Sequence, residues 1–533
     1  MPKTRDFKWW ESGIIYQIYP RSFLDTDGDG TGDLRGIRAK LDYLQWLGVD
    51  AIWLSPIFPS PMADFGYDIS NYIDIDPVFG SLVDFDALLG DAHGRGIKVL
   101  LDYVPNHTSD QHPWFVESRS SRHNPKRDWY LWRDAKPDGS PPNNWLANFG
   151  GRAWEWDEKT GQYYYHAFLK EQPDLDWRNP EVQQAMLDVL RFWLDRGVDG
   201  FRVDVMHHMV KDRELRDNPP NPHWRAGLSP YRELLTTHTV DLPEVQEIVA
   251  KMRSVLDEYD DRMMVGEIYL PVDRIVAYYG ASGEGAHLPF NFQLIGLPWN
   301  ARDIAAAIER YEALLPSFGW PNWVLGNHDK PRVTTRIGMA QARVAAMMLL
   351  TLRGTPTMYY GDEIGMHDVP IPPERVQDPF EKNVPGLGLG RDPERTPMQW
   401  NESTGAGFTS GLPWLPVAED AKIINVATEQ RDPASLLSLY RHLIELRRAE
   451  PALSVGEFAA LPAGEDLVAY VRQTDDRRIL VLLNLGGEAR SFDLAGLKCR
   501  SRLLLSSLLD RPSGELINAV VLRPDEGKIL ELI

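Results

Sequence analysis

The segment Gly200-Phe201-Arg202-Val203-Asp204-Val205 sets an arginine and a carboxylate two positions apart in an apolar run. In an extended chain, Phe201, Val203 and Val205 share one face, and Arg202 with Asp204 the other. Burying such a pair is costly unless each charge compensates the other. An arginine beside Asp204 favours its ionised form. Taken alone, the pair reads as a structural ion bridge. Three further runs end in chemistry: Val265-Gly266-Glu267, Asn327-His328-Asp329, and the run 97–104 followed by Asn106-His107. Three carboxylates, two histidines and an arginine gathered on one rim would repel as a stability device. They suit glycoside hydrolysis, where one carboxylate attacks the anomeric carbon and a protonated partner helps the leaving oxygen depart. Arg202 fits Asp204 to the first role. The apolar 263–265 before Glu267 favour its protonated form, as the second role needs.

A common rim requires elements that bring those ends together. Apolar runs at 14–19, 49–57, 97–104, 200–205, 263–269, 288–292, 323–325 and 355–360 read as buried strands, with helical periodicity at 34–47, 82–95, 180–196, 242–259 and 340–352. This alternation predicts an α/β fold, a (β/α)8 TIM barrel in which the strand ends converge. Ninety-five residues separate His107 from Arg202, about 60 more than one βα unit of about 30 residues uses. The spacing therefore predicts a subdomain inserted after strand three. Short strands after 446 predict a C-terminal all-β domain, of β-sandwich type. The expected organisation is 1–107 and 176–450 for the barrel, 108–175 for the insert and 451–533 for the C-terminal domain. The Pro/Gly-rich stretch 370–394 reads as a long loop after strand eight, on the face where barrels keep their sites.

Composition narrows the function classes. The 533 residues carry a net charge of −20, which disfavours nucleic acid and anionic membrane as partners. One cysteine, Cys499, excludes an intrachain disulfide and a cysteine metal cluster. No apolar stretch approaches the roughly 18 residues of a spanning helix, and the first residues lack a secretory apolar core. The expectation is a soluble cytoplasmic protein, monomeric or a small homo-oligomer. Its 18 tryptophans suit a site for flat-faced, hydroxylated ligands.

The segments Asp102-Tyr103-Val104-Pro105-Asn106-His107, Gly200-Phe201-Arg202-Val203-Asp204, Val265-Gly266-Glu267 and Asn327-His328-Asp329 resemble the four signature regions of the α-amylase family of glycoside hydrolases. Gln172-Pro173-Asp174-Leu175-Asp176-Trp177 is similar to the extra signature of its oligo-1,6-glucosidase and α-glucosidase branch. The resemblance implies a retaining mechanism: Asp204 as nucleophile, Glu267 as acid/base, Asp329 stabilising the transition state. It also implies that Asp64, Tyr67, His107, Arg202, His328 and Arg395 grip the non-reducing glucose of a small α-glucoside. Phe168 reads equally as a wall of that pocket or as an inter-domain core aromatic. The implied activity is exo-acting α-glucosidase, with no catalytic cofactor. A glucosyl-transfer enzyme of the sucrose isomerase or trehalose synthase type is the alternative, and a non-catalytic accessory protein on the same barrel a remote one. Linkage preference stays divided: Val205 resembles enzymes acting on α-1,6 bonds, the loop 214–220 those acting on α-1,4 bonds or sucrose.

Asp25-Thr26-Asp27-Gly28-Asp29-Gly30-Thr31-Gly32-Asp33 is a separate signal. Oxygen donors at Asp25, Asp27, Asp29, Thr31 and Asp33, with a glycine at the sixth position, suit a hard cation, although Gly36 stands where an EF-hand has glutamate. The other reading is an acidic turn. In the resembled branch this loop holds a structural Ca²⁺ or Mg²⁺.

Overall fold

The computed structural model describes residues 6–494, 500–517 and 519–533; the N-terminal residues 1–5 and Cys499 lie outside the described residues. Eight short strands form one parallel sheet: β1 (Ile15–Ile18), β2 (Ala51–Leu54), β3 (Lys98–Tyr103), β4 (Gly200–Val203), β5 (Met263–Gly266), β6 (Leu288–Pro289), β7 (Asn322–Val324) and β8 (Thr355–Tyr359). Each pairs with the next, β8 returns to β1, and a parallel bridge between Asn291 and Trp323 closes the ring between β6 and β7. The α/β barrel is thus as the alternation predicts. Period-two geometry sorts its side chains. Ile15, Trp53, Leu100, Met263, Val265 and Val324 belong to one buried cluster. Tyr16, Ile52, Leu101, Phe201, Val203 and Met264 belong to another, with the apolar helix faces.

Helices Leu82–Gly94, Pro180–Asp195, Glu244–Leu256, Ala301–Leu314 and Leu436–Ala449 surround the barrel. Their starts are set locally: Ser81 and Asp84 form a capping box, and Asn179 caps a helix opening with Pro180. The helix expected at 34–47 divides at Lys40 into Leu34–Ala39 and Leu41–Leu47. The one expected at 340–352 follows Gly338, whose φ of 78° separates it from a short helical segment that begins at Val333.

Between β3 and β4 the chain forms helix Pro113–Ser118 and a three-stranded antiparallel sheet in which Gln162–Tyr165 lies between Trp132–Arg133 and Trp154–Asp157. Leu131, Trp145, Trp154 and Tyr165 give it a core of its own. At the C-terminus a six-stranded antiparallel sheet packs Val468, Tyr470, Val481 and Ile529 into the cluster that holds the barrel's helices. Its other face, with Leu480, Leu482 and Leu503, packs with the ribbon formed by Arg490–Phe492 and Val520–Leu522. Among the described residues no helix is long and apolar enough to cross a membrane.

Candidate active site

The C-terminal ends of β3, β4, β5 and β7 bring their polar residues to one rim. Arg202 lies at its centre, 1 % exposed. Its Nη1 donates to Asp102 Oδ1 and Asp204 Oδ1, each at 2.7 Å, and its Nη2 lies 2.7 Å from Glu267 Oε2. The Asp204 and Glu267 carboxyls also share a hydrogen bond.

Arg202 does not act on Asp204 alone. Burial, with Glu267 and Asp102 alongside, pushes the Asp204 carboxyl well above the usual range, and Arg202 only opposes it. Asp102 is pushed up to about 6, again chiefly by burial. One guanidinium cannot neutralise three buried carboxylates, so the cluster retains a proton, shared among groups that titrate together. A proton held beside a potential nucleophile is what an acid/base pair requires.

Asp329 has a different environment. Its Oδ1 accepts from Arg395 Nη2 at 2.7 Å and Arg391 Nη1 at 3.2 Å, and His328 Nε2 lies 3.3 Å from Oδ2. Burial alone would raise this carboxyl; His328, Arg391 and Arg395 hold it far below the usual range. Arg395 also donates through Nε to the His328 carbonyl at 2.7 Å. The His328 ring lies between Gln17, 2.7 Å from Nδ1, and the Tyr67 hydroxyl, 2.7 Å from Nε2. Tyr67 continues to Asp102 Oδ2 at 3.0 Å.

Opposite, Asp64 accepts from Arg391 Nη2 at 2.7 Å and Gln172 Nε2 at 3.2 Å. Gln172 Nε2 also lies 3.1 Å from His107 Nε2, and burial lowers that imidazole to about 4, so it is neutral at pH 7. Phe168 fits both of its readings: its ring is 5.3 Å from that of His107 and 5.6 Å from Phe149, while it packs against the insert's core.

Three participants carried no role in the sequence reading. Arg391, from the loop after β8, bonds Asp64, Asp329 and Asp378. Its only sequence signal is its place four residues before Arg395. Asp102 appears within a signature, without a function of its own. Lys211 is fully buried, its Nζ held by Asp174 and, at 2.8 Å, by Asn106 Oδ1. It ties the loop after β4 to the insert.

The aspartate loop divides. Carboxylate oxygens of Asp25, Asp27 and Asp29 lie within 4.8 Å of one another, an all-oxygen donor set that fits a hard cation. Thr31 gives its backbone N–H to Asp29 Oδ1 at 2.7 Å. Asp33 is engaged elsewhere. Its Oδ1 caps helix Leu34–Ala39 through Gly36 N at 2.7 Å, and its Oδ2 accepts from Thr26 N at 2.8 Å.

The family model described as "Alpha amylase, catalytic domain" matches residues 17–456. The chain belongs to the alpha-amylase family. The similarity to this family's members runs through nearly the whole sequence. A probable alpha-glucosidase of Rhizobium meliloti (strain 1021) is 43 % identical, covering 92 % of this chain and 91 % of the relative. An oligo-1,6-glucosidase of Parageobacillus thermoglucosidasius is 39 % identical over 98 % and 99 %. The crystal structure of the alpha-glucosyl transfer enzyme XgtA superposes with a TM-score of 0.90 at 41 % identity, covering 99 % of this chain and all of that one. As a member of a glycoside hydrolase family, the protein is an enzyme.

Proposed function

We propose that the protein is an exo-acting, retaining α-glucosidase that removes terminal α-1,4- or α-1,6-linked glucose from short oligosaccharides. The observation that carries this reading is the contact of one guanidinium with both Asp204 and Glu267, each at 2.7 Å. Carboxyls that close leave no room for the water an inverting enzyme places between them. Asp204 attacks the anomeric carbon as the glycosidic C–O bond breaks and Glu267 protonates the departing oxygen. Glu267 then takes a proton from water, whose oxygen displaces Asp204. Asp329, kept ionised, binds the sugar and steadies the oxocarbenium-like charge. Asp64, Tyr67, His107, Arg202, His328 and Arg395 surround the terminal glucose, with Phe168 as a wall. The Asp64–Arg391–Asp378 bridge closes the far end, so a chain cannot continue past that ring.

Glucosyl transfer shares the first half-reaction, and the likeness to XgtA favours it as a second reading. Relative kcat/KM on maltose, isomaltose, sucrose, trehalose and maltotriose, with products resolved, separates the two. Glucose as the sole early product supports hydrolysis; isomerised or lengthened sugars support transfer. A structural Ca²⁺ or Mg²⁺ on Asp25, Asp27 and Asp29, remote from the reaction, and a cytoplasmic location complete the proposal. The single cysteine supports that location.

A further inference from the structure

Immediately after β4 and Asp204 the backbone does something costly. Val205 has φ 33° and ψ 47°, in the left-handed region. A β-branched residue is a conformational outlier there, whereas glycine would adopt it freely. Such strain persists only where the surroundings over-determine it. Here Glu267 supplies two of the constraints, and His208 N–H, which donates to the Val205 carbonyl at 2.8 Å, adds another. Val205 N–H donates to Glu267 Oε2 at 2.9 Å, and the next amide, Met206 N–H, donates to the Glu267 carbonyl at 3.1 Å. Glu267 N–H in turn donates to the Val203 carbonyl at 2.9 Å. The left-handed turn directs successive amides at a single glutamate, gripping both its main chain and its carboxyl.

The grip distinguishes the two carboxyl oxygens. Oε2 receives the Val205 amide and lies 2.7 Å from Arg202 Nη2. An oxygen facing two donors acts as acceptor, so the transferable proton belongs on Oε1. We propose that Val205 is a positioning residue that acts through its strained backbone amide, fixing which oxygen of Glu267 donates the proton to the leaving group. This rests on the assignment of Glu267 as acid/base. The side chain of Val205 is not needed for the role; the N–H and the turn are.

The test replaces the amide by an ester, incorporating the α-hydroxy analogue of valine at position 205, which deletes the N–H and keeps the side chain. Maltose has a poor leaving group and needs the acid; α-glucosyl fluoride does not. Losing a hydrogen bond to a charged group should lower kcat/KM on maltose on the order of 10- to 100-fold and leave the fluoride within about threefold. The alkaline limb of the maltose pH profile should also move upward, because the lost donor favoured the ionised form. The charged and titratable groups facing Glu267 are Arg202, Asp204, Asp102, His207 and Tyr269. None of them is altered by the ester. Equal losses on both substrates, or an unmoved alkaline limb, overturn the proposal. Should the ester protein fold poorly, the wild type still decides. With ¹⁵N-valine labelling, the Val205 amide signal must move with the same pH midpoint as the alkaline limb, and the movement must vanish in Glu267→Gln; a Val205 signal indifferent to pH overturns the proposal. Glu267→Gln measured on both substrates separates the premises. If it fails to discriminate maltose from the fluoride, the acid/base assignment falls. If it discriminates and the ester does not, only the role of Val205 falls.

Discussion

Arg391 stands between Asp64 and Asp329, its Nη2 2.7 Å from the first and its Nη1 3.2 Å from the second. It joins the residue that closes the pocket to the carboxylate proposed to steady the transition-state charge. The same guanidinium bonds the buried Asp378 at 2.6 Å and stacks 4.6 Å from the Phe149 ring. The long loop after β8, which holds only short helical turns such as Pro379–Asn383, is tied to the pocket through this side chain.

Arg391→Met should therefore act on binding and stability together. It leaves Asp64 and Asp378 buried without their cation, a change that typically costs about 3–5 kcal/mol when one partner of a buried pair is removed. The expected result is a fall of at least about 100-fold in kcat/KM on maltose, at about 1.4 kcal/mol per decade, together with a lower Tm. Unchanged values for both would mean that the loop is held in place by other contacts.

Arg391 also shows where sequence reading stops. The barrel was legible because buried parallel strands repeat the same apolar run, and the rim residues sit at the ends of those runs. Arg391 lies in a Pro/Gly-rich loop without period, where nothing local distinguishes a buried guanidinium from a solvated one. Lys211 escaped for the same reason: its partners Asn106 and Asp174 lie 105 and 37 residues away. Asp33 carries two signals at once: counting alternate oxygens makes it a candidate cation ligand, and an aspartate directly before the apolar-periodic 34–37 is also a helix cap, a role its Oδ1 takes here. The sharing of Arg202 among three carboxylates is a tertiary fact, since β3, β4 and β5 each supply one.

Asp204→Asn keeps the volume of the side chain and removes the attacking charge, so no glucosyl-enzyme forms. A loss of at least about 10⁴-fold in kcat is expected, judged against the removal of other covalent nucleophiles. Circular dichroism should not change. Activity within tenfold of wild type in a normally folded protein would refute the assignment.

Glu429 lies far from this chemistry, and its carboxyl is pushed up to about 8 by burial, although it accepts Leu437 N–H at 3.0 Å. A folded value above the unfolded one means that the native state binds the proton more tightly. That stabilisation is fully present below about pH 4.5 and is lost as pH rises through about 8. Glu429→Gln imitates the protonated form at every pH. Its Tm relative to wild type, followed by calorimetry, should therefore rise from about pH 5 to about pH 8 and level off above it. A constant difference would show that Glu429 does not titrate in this range.

Chelation addresses the aspartate loop. A cation bound only to the folded state contributes about 2.7 kcal/mol at a hundredfold excess over Kd. EDTA should lower Tm, Asp27→Ala should reproduce the effect, and kcat well below the transition should barely move. Asp33→Ala should lower Tm through its lost helix cap even in the presence of EDTA. No response of the wild type to chelation would leave 25–31 as a turn held together by its own hydrogen bonds.

The most discriminating outcome concerns Glu267, whose role depends on the leaving group. A general acid typically contributes 10²–10⁴-fold, and only where the departing oxygen needs a proton. Glu267→Gln should be nearly inactive on maltose yet form the glucosyl-enzyme readily from α-glucosyl fluoride. Water then lacks its base, so the intermediate should accumulate and be visible by mass spectrometry of the intact protein. Azide needs no deprotonation and should restore turnover. Its product must be the α-glucosyl azide, because two inversions at the anomeric carbon return the starting configuration. A β-azide would mean that a single displacement had occurred, and that Asp204 is not the group that attacks.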